Sequence, residues 1–123
     1  MAEKITINLE PVDLGRIDVL VGQGVYANRT DLIRTAIRNQ LERHEAIIED
    51  VVVKESFAIG VMSFNRAELE RRRQAGEKLS IRVIGMLQIA GDVDADLASQ
   101  TIESVAVHGV FRAPAPIKKL FAG

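Results

Sequence analysis

The side chains best placed to do chemistry open the chain, where Lys4, Thr6 and Asn8 alternate with Ile5, Ile7 and Leu9. A period of two is that of a β-strand, whose successive side chains point to opposite faces. One face of Lys4–Leu9 is therefore apolar, and the other is a row of groups that can donate or accept hydrogen bonds. Such a row suits recognition rather than bond-making. A strand with a greasy face cannot stand alone, because its N–H and C=O groups and its apolar side both need a partner. Antiparallel pairing with an identical strand about a two-fold axis would supply that partner. It would leave the polar rows of both copies on a two-stranded ribbon of a size that enters the DNA major groove.

Covalent and metal chemistry find little in the rest of the chain. It has no cysteine, hence no disulfide, thiolate metal site or thiol nucleophile. His44 and His108 are the only histidines, and neither belongs to a recognisable nucleophile or metal motif. No glycine-rich phosphate loop follows a strand. The chain is therefore expected to be no enzyme and to need no cofactor. With 47% hydrophobic and 27% charged residues it has the composition of an ordinary globular protein. No apolar run approaches the roughly 18 residues of a membrane span, and Glu3 and Asn8 interrupt the only candidate secretory signal. Cytoplasmic residence, without a membrane partner, is the expectation.

Two helices must position the strand. Pro11 sits where a helix can begin, and Val12, Ile17, Leu20 and Val21 follow helical spacing until Gly22 and Gly24 end it. Asn28 is a good N-cap with Asp31 three residues on. Leu32, Ile33, Ala36, Ile37 and Leu41 form one face of a second helix and Arg34, Arg38, Glu42 and Glu45 the other, with an end expected at about Glu49 or beyond.

This order, ITINLEP, a helix, a glycine turn and then NRTDLIRTAIRNQLERH, resembles the ribbon-helix-helix repressors of the Arc, MetJ and CopG type over residues 1–50. The strongest match is the start of the second helix, Asn28, Arg29, Thr30, Asp31, Leu32 and Ile33. The resemblance implies an intertwined dimer and base-reading roles for Lys4, Thr6 and Asn8. Their chemistry agrees: lysine donates to guanine O6 and N7, asparagine bridges adenine N6 and N7, and threonine bonds a base edge or touches a thymine methyl. It also implies a phosphate clamp at Asn28, Arg29 and Thr30, where helix amides and the positive end of the dipole favour an anion. Charge works against this. Through Asp50 there are six basic and nine acidic side chains, so non-specific affinity for DNA should be weak, and several dimers acting together would be needed to offset it.

Residues 51–112 predict a β-rich oligomerisation or effector domain. Strands are expected over Phe57–Phe64, Leu79–Ile89 and Ile102–Arg112, a short helix over Arg66–Ala75 behind an Asn65 cap, and a helical turn at Asp94–Ser99. The last two strands are apolar on nearly every residue, which predicts burial on two faces or at an interface. Gly85 and Gly109 inside them suggest bulges or close backbone approach. Arg71, Arg72 and Arg73 point in different directions around a helix and read as a solvated face, and His108 as a strand residue satisfied by a neighbour. The layout is similar to that of the nickel-responsive regulators, but one histidine and no cysteine do not make their metal site. Residues 113–123, with Pro114 and Pro116, are expected to form an extended, mobile tail.

The expected fold class is thus α+β, a ribbon-helix-helix module followed by a small α/β assembly domain. The expected function is sequence-specific transcriptional regulation, as a repressor, with double-stranded DNA as partner and a homodimer that grows to a tetramer or larger. The alternative is an antitoxin-like protein whose second half wraps a protein partner, although such tails are usually polar.

Overall fold

Pro11 opens α1 (Pro11–Gly22) at the one helical position where its missing N–H and fixed φ cost nothing. The helix ends at Gln23, and Gly24, at φ 79°, turns the chain. Asn28 then starts α2 (Arg29–Arg43), its side chain accepting from the Asp31 amide at 2.8 Å. The second helix does not run on to Glu49 as one rod. His44 leaves helical geometry at φ −107°, ψ 15°, and α3 (Glu45–Lys54) begins at the next residue. The computed structural model describes residues 2–121; Met1, Ala122 and Gly123 lie outside the described residues.

After Phe57 the order is β1 (Ala58–Phe64), α4 (Arg66–Gln74), β2 (Leu79–Ile89), α5 (Ala95–Thr101), β3 (Ile102–Arg112) and α6 (Ala115–Phe121). The three strands form one parallel sheet in the order β1-β2-β3. Each strand pair is joined through a helix, as parallel neighbours require. Two of these helices are capped by side chains, α4 by Asn65 on the Glu68 amide at 2.9 Å and α5 by Asp94 on the Leu97 amide at 2.8 Å. Leu69 of α4, Leu97 and Ala98 of α5 and Ile117 of α6 pack with Ile81, Val83, Leu87 and Ile89 of β2 into the core. All helix side chains in this core therefore meet the same sheet face. The two-faced burial expected of the strands is not found among the described residues.

Two further expectations are corrected. The stretch from Ala113 is not an extended tail, since α6 forms there and buries Ile117 completely. Pro114 and Pro116 read as helix breakers, but they stand just before and within the first turn, where no intrahelical N–H is needed. Of the bulges or close backbone approach expected at Gly85 and Gly109, only close approach forms: the register runs unbroken through an aligned row of Gly60, Gly85 and Gly109, and its one shift lies at Leu79/Ser80. All three have positive φ, and a Cβ at Gly85 would lie 2.1 Å from the Gly60 carbonyl oxygen. Only glycine fits that central position.

The chain divides into two compact units, one ending at Ile47 and one beginning at Ile48. Every hydrophobic residue that is buried among the described residues, from Phe57 to Ile117, belongs to the second unit. Residues 2–47 contain no buried residue of any kind.

Candidate nucleic-acid interface

Residues 2–10 form no regular hydrogen-bonded structure, so Lys4–Leu9 belongs to no ladder. A strand is defined by its pairing, and the described residues offer this segment no paired strand. Lys4, Thr6 and Asn8 are all exposed. So are their apolar neighbours, Ile5 at 76%, Ile7 at 55% and Leu9 at 42%. Ile5 and Ile7 nevertheless meet Ile33 and Ile37 of α2 along an open groove of about 630 Å³, which Lys4, Thr30 and Arg34 also line. Of the polar row, Lys4 is thus brought beside Thr30 at the start of α2, whereas Thr6 and Asn8 do not line the groove.

At that start the caps are reciprocal. Asn28 accepts from the Asp31 amide, and the Asp31 carboxylate accepts from the Ala27 amide at 3.0 Å. The first helical bond is Leu32 N–H to Asn28 O at 3.3 Å. The amides of Arg29 and Thr30 precede it and have no partner among the described residues, as expected of a helix's first turn. They carry the positive end of the helix dipole. A second open hollow, of about 370 Å³, is lined by Ala27, Asn28, Thr30, Arg34 and Arg38 and also by the acidic Asp31.

Arg29 behaves differently from its neighbours. Its guanidinium donates twice to Asp18 of α1, Nε to Oδ1 and Nη2 to Oδ2, each at 2.8 Å. This fork ties the two helices together across the glycine turn. The hydrogen bond from Arg29, helped by its charge, holds the Asp18 carboxyl below the usual carboxylate range, and Asp18 in turn raises Arg29. The side chain expected at a phosphate is thus occupied within the chain, while the Arg29 amide stays available. Sequence reasoning missed the pair because its partners are eleven residues apart across a turn, a separation with no periodic signature. It also understated Arg34, which reaches both the groove and the hollow although helical spacing placed it on the solvated face.

The second unit contributes structural rather than catalytic polar contacts. In the triple-arginine run, Arg72 pairs with Glu77 at 3.3 Å, and Arg73 bonds Glu70 and Gln100. His108 packs against the Phe57 ring at 5.1 Å between centroids. Among the described residues no three His, Cys, Asp or Glu side chains gather where they could hold a metal ion, and no helix is long and apolar enough to cross a membrane.

A polar-apolar alternating segment, two helices joined by a glycine turn and a capped second helix whose first amides are unpartnered among the described residues define a ribbon-helix-helix module. The match to known families extends well past that module. The chain belongs to the ribbon-helix-helix transcriptional regulator family, whose sequence profile matches residues 1–118. Comparison with curated proteins and with solved structures gives no match. Membership makes this a DNA-binding regulator of transcription, of a class that typically binds as a dimer, and not an enzyme.

Proposed function

We propose that the protein is a sequence-specific repressor that lays a two-stranded ribbon, one strand from each of two chains, into the major groove. In this reading Lys4, Thr6 and Asn8 read base edges. Asn28 holds the start of α2 in shape while the amides of Arg29 and Thr30 grip a backbone phosphate. The Arg29 side chain acts at one remove, by fixing α2 against α1 through Asp18. Residues 1–50 serve as the DNA-binding and dimerisation module, and residues from 51 onward, α6 included, as the assembly domain that joins dimers into a tetramer or larger. Repression follows as the output because occupying an operator with several linked ribbons blocks access to it.

The observation that carries the reading is the lack of any buried residue among the described residues of the first unit, together with the open groove lined by Ile5, Ile7, Ile33 and Ile37. A module of this size with no core of its own cannot be stable alone. A second ribbon and α2 would close the groove and leave Lys4, Thr6 and Asn8 outward. The core of the second unit counts against the toxin-wrapping alternative, since that segment is already folded. The test is selection of bound DNA from a random pool, repeated with Lys4→Ala, Thr6→Ala and Asn8→Ala combined. Sequence preference should vanish while the dimer persists, each bidentate contact contributing about 1–3 kcal/mol of discrimination. An unchanged preference would refute readout by the ribbon.

A further inference from the structure

The helices of the second unit leave one face of its sheet bare. Strand alternation and register put Ile59 and Val61 of β1, Arg82, Ile84 and Met86 of β2 and Ala106, His108 and Val110 of β3 on that face, where Phe57 packs on Arg82 and His108. Ile59 and Val61 are 68% and 66% exposed. Polar residues bound the patch: Ser63, Gln88 and Arg112 share the register row at one end, and Ser80 and Ser104, bonded to each other at 3.3 Å, close the other. Apart from Arg82 and His108, both of which the Phe57 ring packs against, the centre is apolar and the rim polar, which is the anatomy of a protein interface. The cations on this face would not be buried unpaired. Arg82 donates to the Glu55 carbonyl, meets the Glu55 carboxylate at 3.8 Å and lies 4.6 Å over the Phe57 ring, and Arg112 has an interaction of its own.

All-parallel sheets occur almost only with both faces covered. We propose that the cover is the same face of a second copy of this chain, packed sheet against sheet about a two-fold axis. The proposal rests on the reading of the second unit as an assembly domain and specifies the surface that does the assembling. Three strands about 4.8 Å apart, rising about 3.3 Å per residue, give a footprint of roughly 450 Å² per copy, or roughly 900 Å² for the pair. Side-chain relief brings this close to the roughly 1,000 Å² that a specific interface needs. Self-pairing also suits the chemistry, because a two-fold contact sets apolar centre on apolar centre and rim on rim. It further suits the family's dimeric habit, since each ribbon dimer carries two such faces and a second dimer can be held by both of them at once.

Sedimentation equilibrium of the full chain tests this with Ile7→Asp, which disables the ribbon side, Met86→Glu, which charges the centre of the face, and the two combined. Each single variant should remain at least a two-chain species, and the combination should fall to one chain. An Ile7→Asp protein that is already a single chain, or a combined variant that is not, would overturn the proposal. Ribbon pairing is read separately: Met86→Glu reduced to one chain would mean that the ribbon dimer is the part that fails. If circular dichroism shows that Met86→Glu does not fold, Ile59→Lys, at an exposed edge position, takes its place with the same expected outcomes. Slow hydrogen exchange of Ile84 and Met86 together with burial of their side chains from solvent labelling in a one-chain species would assign the cover to the chain itself, which also overturns the proposal.

Discussion

The two units of this chain draw on similar residues and treat them oppositely. In the second, Leu69, Val83, Leu87, Ala98 and Ile117 are fully buried against one another. In the first, Ile5, Ile7, Ile37 and Leu41 keep between 45% and 76% of their surface in water. The second unit can bury its apolar side chains because βαβαβ connections return each helix onto the sheet that precedes it. The first has one unpaired alternating segment and two helices, and none of its described residues is buried. The lesson is that an exposed apolar set can be as specific as a core when it is periodic and flanked by a polar row. It marks where a second chain belongs.

A charge on the apolar side of the ribbon separates the two units most sharply. Ile7→Asp should lower operator affinity by at least about 100-fold, because a carboxylate cannot be buried unpaired in the ribbon's core. The second unit should keep its cooperative unfolding, followed by circular dichroism in denaturant. Loss of folding in both units at once would break the comparison. The converse change is Leu87→Ala, which removes a fully buried side chain from the sheet core. It should cost the second unit about 2–5 kcal/mol in denaturant unfolding, while hydrogen exchange in residues 4–43 stays as in the parent.

Smaller effects sharpen the same contrast. Asn28→Ala removes the acceptor for the Asp31 amide and should cost about 1 kcal/mol of stability in the first unit. A measurable drop in phosphate-dependent binding should accompany it. The weakest effect is electrostatic. Asp18 is held below its ordinary value of 3.8 by the Arg29 hydrogen bond, and Asp94 is lowered from the same value chiefly by the Leu97 amide, aided by Arg66. A carboxyl lowered in the folded state contributes stability that is full above its unfolded pKa and is lost as pH falls through the folded one. Both groups are exposed, so each contribution is small. The difference in melting temperature between the parent and Asp18→Asn should be full at neutral pH, begin to shrink near pH 3.8 and vanish only as pH falls through the lower folded-state value; a difference that persists in strong acid would remove the charge pair from the account.

Much of this was legible in the residues. The caps at Asn28 and Asn65, the strands Leu79–Ile89 and Ile102–Arg112 and the alternation at Lys4–Leu9 are local patterns, and local patterns survive without a partner. What was not legible is non-local. Strand direction and the alignment of Gly60 with Gly85 and Gly109 depend on register, which no single segment encodes. The Asp18–Arg29 fork depends on how a turn folds α1 onto α2. The helix α6 was hidden because prolines break helices in the middle yet suit their first turn. Arg29 illustrates the same limit at the candidate site, since its type fits a phosphate but its side chain is spent on Asp18.

Hydrogen exchange of the full-length protein as a function of concentration tests the central claim most directly, namely that the first unit is completed by a second chain while the second carries its own core. Amides in β2 should be protected at every concentration. Those of residues 4–9 should become protected only as chains associate, and in step with protection of α2. Protection of residues 4–9 in a dilute, single-chain population would contradict the account.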